Sequence, residues 1–353
     1  MRFLKYFILL FASLIWLAVL NTDIFRYMGK LNLFTDGYQF GDLYRLSNLP
    51  QFKDPKKDCP QYIPPANKTG NKKINLFIIG DSFTEPGRIS KADFNVDSYQ
   101  YIHWGEALHF KADTSAYNIL LIECVERHIR EKFAAPISNV VADSRTFVSR
   151  GNPSFMQKLD LAFAADSKEE RLDMMLFQNP LILAIKEWKA SFNYKFFGRV
   201  REEVTLVNQD NDLVFYMDTD TVQASKDAEA PHSILKTTSS FTPLPESELD
   251  TIVNNMTKSK LLAEQMGFNQ VFLSIIPNKV SVISPGWGIY NHLIERVNEH
   301  SSLQIPVINV LPEYRKMGNT SYLKGDSHWT CEGQTIWLEK VNTLIAELTG
   351  KSS

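Results

Sequence analysis

Four short apolar runs constrain this chain more than any other feature: INLFII (74–79), YNILLI (117–122), QVFLSII (270–276) and IPVINV (305–310). Apart from Asn75, the first shows no polar alternation. A strand with one wet face alternates, whereas a strand covered on both faces does not, and that is the habit of parallel sheets. Helical patterns lie between and after the runs. SELDTIVNNMTKSKLLAEQMG opens at Ser247, a candidate N-cap, and closes at Gly267, a candidate C-cap. TCEGQTIWLEKVNTLIAELTG runs from Thr330 to Gly350, with Trp337, Leu338, Val341, Leu344, Ile345 and Leu348 on one stripe. ECVERHIREKF, after the second run, also has helical character. The alternation predicts an α/β fold: a doubly wound, mostly parallel sheet with helices on both faces.

The first 25 residues are of another kind. Arg2 and Lys5 precede an apolar run from Phe7 to Leu20, and Ala18-Val19-Leu20 is a poor cleavage site. We read residues 1–25 as an uncleaved signal-anchor, a single-pass N-terminal membrane anchor helix. Its basic end stays in the cytoplasm and the rest of the chain is exported. A cleaved signal peptide is the alternative. Residues 26–73, broken by Gly and Pro, read as a linker and irregular flank. Residues 74–350 read as the globular domain, with an insertion at about 150–245. Within it, FMQKLDLAFAAD and LILAIKEWKASF look helical and NDLVFYMDTD looks like a strand.

Composition closes off several classes. A net charge of −2 over 353 residues predicts no nucleic-acid partner. Seven histidines without zinc-helix spacing and three cysteines without a CxxC predict no metal, and nothing calls for a cofactor. Three cysteines allow one internal disulfide. Cys124 lies in an apolar run, which leaves Cys59 and Cys331 as the pair.

The chemistry sits at two places. FIIGDSFT (77–84) runs from the first strand into Gly80, Asp81 and Ser82, and GDSHWT (325–330) precedes the last helix. A serine becomes a nucleophile only beside a base, and the base needs an orienting group. Asp326 and His328 are two apart, so an extended segment puts them on one side. The carboxylate then sets the tautomer and leaves Nε2 to take the serine proton. Both segments follow strands, so a doubly wound sheet brings them to one crevice at its carboxyl edge. The structural alternatives are an ordinary strand-to-helix turn at Ser82 and a histidine packed on Trp329 at a helix start. Asp81 is read as bracing its turn, because a carboxylate there would oppose a developing oxyanion.

Gly-Asp-Ser after the first strand with Asp-x-His before the last helix resembles the SGNH (GDSL-type) hydrolase superfamily of esterases and acyltransferases. The closing DSHW is similar to the alginate O-acetyltransferase branch, as are IIPNKVSVISPGW (275–287) and ILLIECVERHI (119–129). In that branch the Asp-His block precedes the serine, whereas here the serine comes first, as in ordinary SGNH esterases. A looser likeness is to plant-type polysaccharide O-acetyltransferases. The resemblance implies Ser82 as nucleophile, His328 as base and Asp326 as orienter. It also implies an active-site arginine at Arg127, and oxyanion donors beyond the Ser82 amide, for which Gly105 and Asn278 are the candidates. Arg127 is otherwise an exposed helix charge or a partner for Glu123 at i, i+4. Lys279 meets an acidic sugar or solvates a turn. Trp104, Trp287 and Trp329 stack on sugars or belong to the core.

Three functions follow as expectations. The first is an O-acetyltransferase in the periplasm or outside, anchored in the inner (cytoplasmic) membrane. It would acetylate a polysaccharide acceptor, supplied by a membrane-bound acetyl-donating partner protein. The second is a carbohydrate esterase with the same triad. The third is a non-catalytic envelope protein that binds glycan or serves as a scaffold.

Overall fold

The computed structural model describes residues 2–19, 59–65, 73–142, 205–207, 214–216, 240–287 and 289–350, with helical positions at 188, 192 and 196. The chain divides into two compact units, Met1–Lys56 with Ser149–Arg201 and Lys57–Val148 with Glu202–Ser353. The first contains helix α1 (Arg2–Val19). Among the described residues no helix is long and apolar enough to cross a membrane. The residues expected to form the N-terminal anchor are helical from Arg2 to Val19. Of the insertion, the second unit contains a small antiparallel hairpin, described below. The segment FMQKLDLAFAAD lies outside the described residues, and so does most of LILAIKEWKASF.

The second unit carries the α/β architecture. Its strands are β1 (Lys73–Gly80), β2 (Ser98–His103), β3 (Leu108–Phe110), β4 (Ala116–Val125), β5 (Val140–Ala142), β6 (Thr205–Val207), β7 (Val214–Tyr216), β8 (Gln270–Ile276) and β9 (Val307–Asn309). Five form the central sheet, in the order β2-β1-β4-β8-β9, and every pairing in it is parallel. β3 pairs with β5 in parallel and β6 with β7 antiparallel. The helices after α1 are α2 (Ile129–Lys132), α3 (Glu246–Met266), α4 (Lys279–Ile283), α5 (Leu293–Glu299), α6 (Leu311–Met317) and α7 (Cys331–Gly350).

The apolar runs became the buried strands for the reason given by their composition. β1 is buried from Ile74 to Gly80, and β4 is buried along nearly its whole length. The polar exceptions are satisfied from neighbouring strands: Asn75 donates to Asn118 (3.0 Å) and accepts from the Ser98 hydroxyl (2.6 Å). β2 was missing from the expected set. It is an edge strand, SYQYIH, half-buried along most of its length, so it has no apolar run to betray it. α3 ends as expected at Gly267, in the left-handed region at φ 107°, but begins after Pro245 and not at Ser247. ECVERHIREKF is mostly not helix: Cys124 and Val125 still belong to β4, and only a 3₁₀ turn and the four-residue α2 follow.

This order is compatible with a doubly wound fold. Connections from β1 lead to β2 on one side and, through β2 and β3, to β4 on the other. The sheet therefore reverses direction beside β1, and in parallel sheets the crevice beyond the carboxyl ends at such a reversal is where ligands bind. Ser82 lies there, two residues past β1. The flank before β1 is only partly a linker. Cys59 is joined to Cys331 with their Cα atoms 5.2 Å apart, Gln61 donates to Asp93 (2.8 Å), and Asn95 donates to the Pro65 carbonyl (2.9 Å). Residues 59–65 are thus fastened to the globular unit, and Cys124 is the buried free thiol.

Candidate active site

The turn after β1 is built by carboxyl groups. The Asp81 side chain curls back so that Oδ1 accepts the Phe83 amide (2.9 Å), and Oδ2 accepts the Val125 amide at the end of β4 (3.0 Å). The Thr84 amide closes the turn on the Asp81 carbonyl (3.2 Å). Asp81 braces the turn as its position suggested. Ser82 is half-buried between two buried neighbours, and its amide has no acceptor among the described residues.

The loop before α7 brings the second half. Tyr322 and Trp329 form an antiparallel bridge, and the Leu323 amide donates to the His328 carbonyl (3.1 Å). Asp326 Oδ1 accepts the His328 amide (3.0 Å) and faces His328 Nδ1 at 2.5 Å. The contact arises from the aspartate folding back on its own backbone, and not from the two-residue alternation of an extended strand. Asp326 is fully buried, and His328 is 6% exposed. Since a carboxylate only accepts, a neutral imidazole here carries its proton on Nδ1 and offers Nε2 as the acceptor. Nε2 lies 2.8 Å from Ser82 Oγ. Phe83 packs against the imidazole, with centroids 4.7 Å apart, and fixes its plane from the serine side.

The other expected site residues fare differently. Lys279, read as meeting a sugar or solvating a turn, does neither: it is 3% exposed. Its ammonium donates inward to the carbonyls of Leu323 (2.6 Å), Lys324 (2.8 Å) and Asp326 (3.2 Å). It staples the loop that carries Asp326 and His328. Trp329 is not a sugar platform. It is a core side chain, 4% exposed, edge-on to Phe83 at 5.1 Å and tilted against Trp337 at 5.6 Å. Trp104 is also core, donating to the Glu123 carbonyl (2.7 Å). The side chain of Trp287 lies outside the described residues.

Asn278 is committed elsewhere. Its Oδ1 accepts the Arg127 amide (3.3 Å), its Nδ2 donates to Ser240 (2.8 Å), and its backbone amide donates to Glu126 (2.8 Å). It clamps the ends of β4 and β8 and is 1% exposed, which removes it as an oxyanion donor. Gly105 is exposed in the turn after β2, its amide 3.4 Å from His103 Nδ1. Arg127 is half-buried just past β4, and its guanidinium has no carboxylate partner among the described residues. The expected alternative of a pair with Glu123 fails, because Glu123 is wholly buried and turned toward Asp81 and Thr84.

Sequence reasoning missed Glu123, Thr84, Tyr322 and Glu126. The first carried a visible signal: an acidic residue in the otherwise apolar ILLIECV of a strand covered on both faces. Glu126 is likewise wholly enclosed, bonded by the Asn278 amide, the Ser281 hydroxyl (2.6 Å) and the Tyr290 hydroxyl (3.3 Å). Burial raises its carboxyl to about 7. Among the described residues no group of histidine, cysteine and acidic side chains is arranged to hold a metal. What the assembled residues can do is pass a proton from a hydroxyl to an oriented imidazole. No family model matches the chain, and no curated protein or solved structure matches it either.

Proposed function

We propose that the chain is a serine acyltransferase of the SGNH type that moves an acetyl group onto a polysaccharide hydroxyl outside the cytoplasm. The observation that carries this reading is the hydrogen-bonded series Ser82 Oγ, His328 Nε2, His328 Nδ1 and Asp326 Oδ1 at the carboxyl edge of a parallel sheet. Ser82 Oγ attacks the acetyl carbonyl while His328 Nε2 takes its proton. The oxyanion faces the Ser82 amide, and His328 then protonates the departing donor group. In the second half an acceptor hydroxyl gives its proton to His328 and attacks the acyl-serine, which releases the acetylated sugar and restores the serine.

Export is supported by the Cys59–Cys331 disulfide, a bond that persists in oxidising compartments, and by the apolar N-terminal helix. A membrane-bound protein that delivers acetyl groups is the partner this arrangement calls for. Transfer in preference to hydrolysis rests on the likeness of GDSHW and IIPNK to the acetyltransferase branch. The esterase reading uses the same triad, with water as acceptor.

Incubation with an activated acetyl ester and a panel of oligosaccharides, read by mass analysis of the sugars, separates the readings. Acetylated sugar that disappears in Ser82→Ala is the expected result. Ester turnover with no sugar acetylated assigns the site to hydrolysis. Equal behaviour of wild type and Ser82→Ala leaves the non-catalytic glycan-binding or scaffold role.

A further inference from the structure

Glu123 is a costly side chain beside the Ser82 turn. It is wholly buried in β4 between apolar neighbours, where an acidic group is destabilising unless it is bonded. Its Oε2 accepts the Asp81 amide (3.0 Å) and the Thr84 hydroxyl (2.8 Å), from the residue before Ser82 and the residue two after it. Gly80 completes the fit. A Cβ there would lie 2.8 Å from Glu123 Oε2 and collide with the Thr84 hydroxyl. The amides of Asp81, Phe83 and Thr84 are all spent inside this network, and among the described residues the Ser82 amide of this turn has no acceptor.

We propose that Glu123 is a positioning residue for the Ser82 nucleophile: its carboxyl group binds both shoulders of the turn and thereby aims the Ser82 amide and hydroxyl at the reacting carbonyl. The inference rests on the reading of Ser82 as nucleophile. The surroundings of the carboxyl favour its protonated form. Burial first, and the Asp81 charge second, hold it well above the ordinary carboxylate range. A neutral acceptor brings no charge against an oxyanion forming at the Ser82 amide, whereas an ionised one opposes it. Because the folded state binds this proton more tightly than the unfolded chain, its contribution is present at low pH. It is lost as pH rises through the raised value. The charge acting directly on Glu123 is that of Asp81. The Glu123 charge acts in turn on Tyr101 of β2, together with Glu85, and on Cys124 of β4, together with Arg127 and Lys132. His328 stands at the Ser82 hydroxyl.

The test is the rate at which Ser82 of the full chain is acylated by an activated acetyl ester, read by intact mass across pH. Glu123→Ala is expected to slow acylation about tenfold or more, the consequence of roughly 1.4 kcal/mol of lost alignment. Glu123→Gln, which copies the protonated group, restores most of that loss and moves the alkaline fall of the profile to higher pH. A Glu123→Gln chain no faster than Glu123→Ala, or one with a profile superimposable on the wild type, overturns the proposal. Should Glu123→Ala fail to fold, Thr84→Val removes one of the two donors and must slow acylation; the wild-type rate there also overturns it. If wild-type Ser82 is never acylated at any pH, the nucleophile reading itself falls and takes this one with it.

Discussion

The two halves of the site are held in opposite ways. The turn after β1 is fixed from within the sheet: Asp81 reaches across to β4, and Glu123 reaches back from it. The loop before α7 is not itself part of the central sheet. It is held by groups remote in sequence: the Lys279 ammonium inside it, the Tyr322 hydroxyl on the Pro277 carbonyl (2.6 Å), and the Cys59–Cys331 bond just beyond it. Ser82 thus inherits the rigidity of the most buried strands, whereas His328 depends on a few separable staples. Each staple can be removed singly, and the comparison predicts that such removals misplace His328 while leaving the Ser82 turn intact.

The largest effect is expected at the orienting carboxylate. Asp326→Asn keeps the shape but not the acceptor that fixes the imidazole tautomer, so Ser82 acylation should fall by about a thousandfold to ten-thousandfold. A rate within a few fold of wild type would show that the aspartate does not govern the base. Lys279→Met comes next. It leaves three carbonyls without their buried donor, at about 1–3 kcal/mol for each group not rehydrated. Displacement of the base by about 1 Å is worth about a hundredfold in acylation rate. The sharper result is a chain that folds, keeps its Ser82 turn, and reacts slowly.

Removal of the disulfide in Cys59→Ala/Cys331→Ala should cost about 2–4 kcal/mol, seen as a lower Tm. Acylation measured well below that Tm should change much less. A loss as deep as that of Lys279→Met would mean that the flank, and not the lysine, holds the loop. The smallest effect concerns the clamp behind Arg127. Glu126 binds its proton more tightly in the folded state, its carboxyl raised from 4.5 to about 7. The stability it contributes is therefore present below 4.5 and lost as pH rises through about 7. Glu126→Gln should flatten Tm against pH across that interval, and an unchanged slope would assign the dependence to another group.

The same contrast explains what was legible in the sequence. The strands that carry the site announce themselves because burial on both faces demands unbroken apolar residues, as in INLFII and QVFLSII. The edge strand β2 meets no such demand and stayed hidden. Ser82, Asp326 and His328 were legible because each motif is local: a strand end with Gly80 in one, an aspartate two residues from a histidine in the other. The direction of Lys279 was not. A lysine in IPNKV reads as solvated because burying an ammonium is costly, and only the fold shows three carbonyls turned to receive it. Trp329 misled for the converse reason. A tryptophan beside a candidate base suggests a binding platform, but Phe83 and Trp337 leave it no exposed face.

The central claim is that Ser82 is a nucleophile driven by His328. Intact-mass measurement of the full chain mixed with an activated acetyl ester, followed by peptide mapping, tests it most directly. One acetyl group on Ser82 of the wild type, absent from Ser82→Ala and strongly slowed in His328→Ala, is the expected result. Acetylation elsewhere in the chain with Ser82 unmodified, or a His328→Ala chain acylated as fast as the wild type, would contradict it.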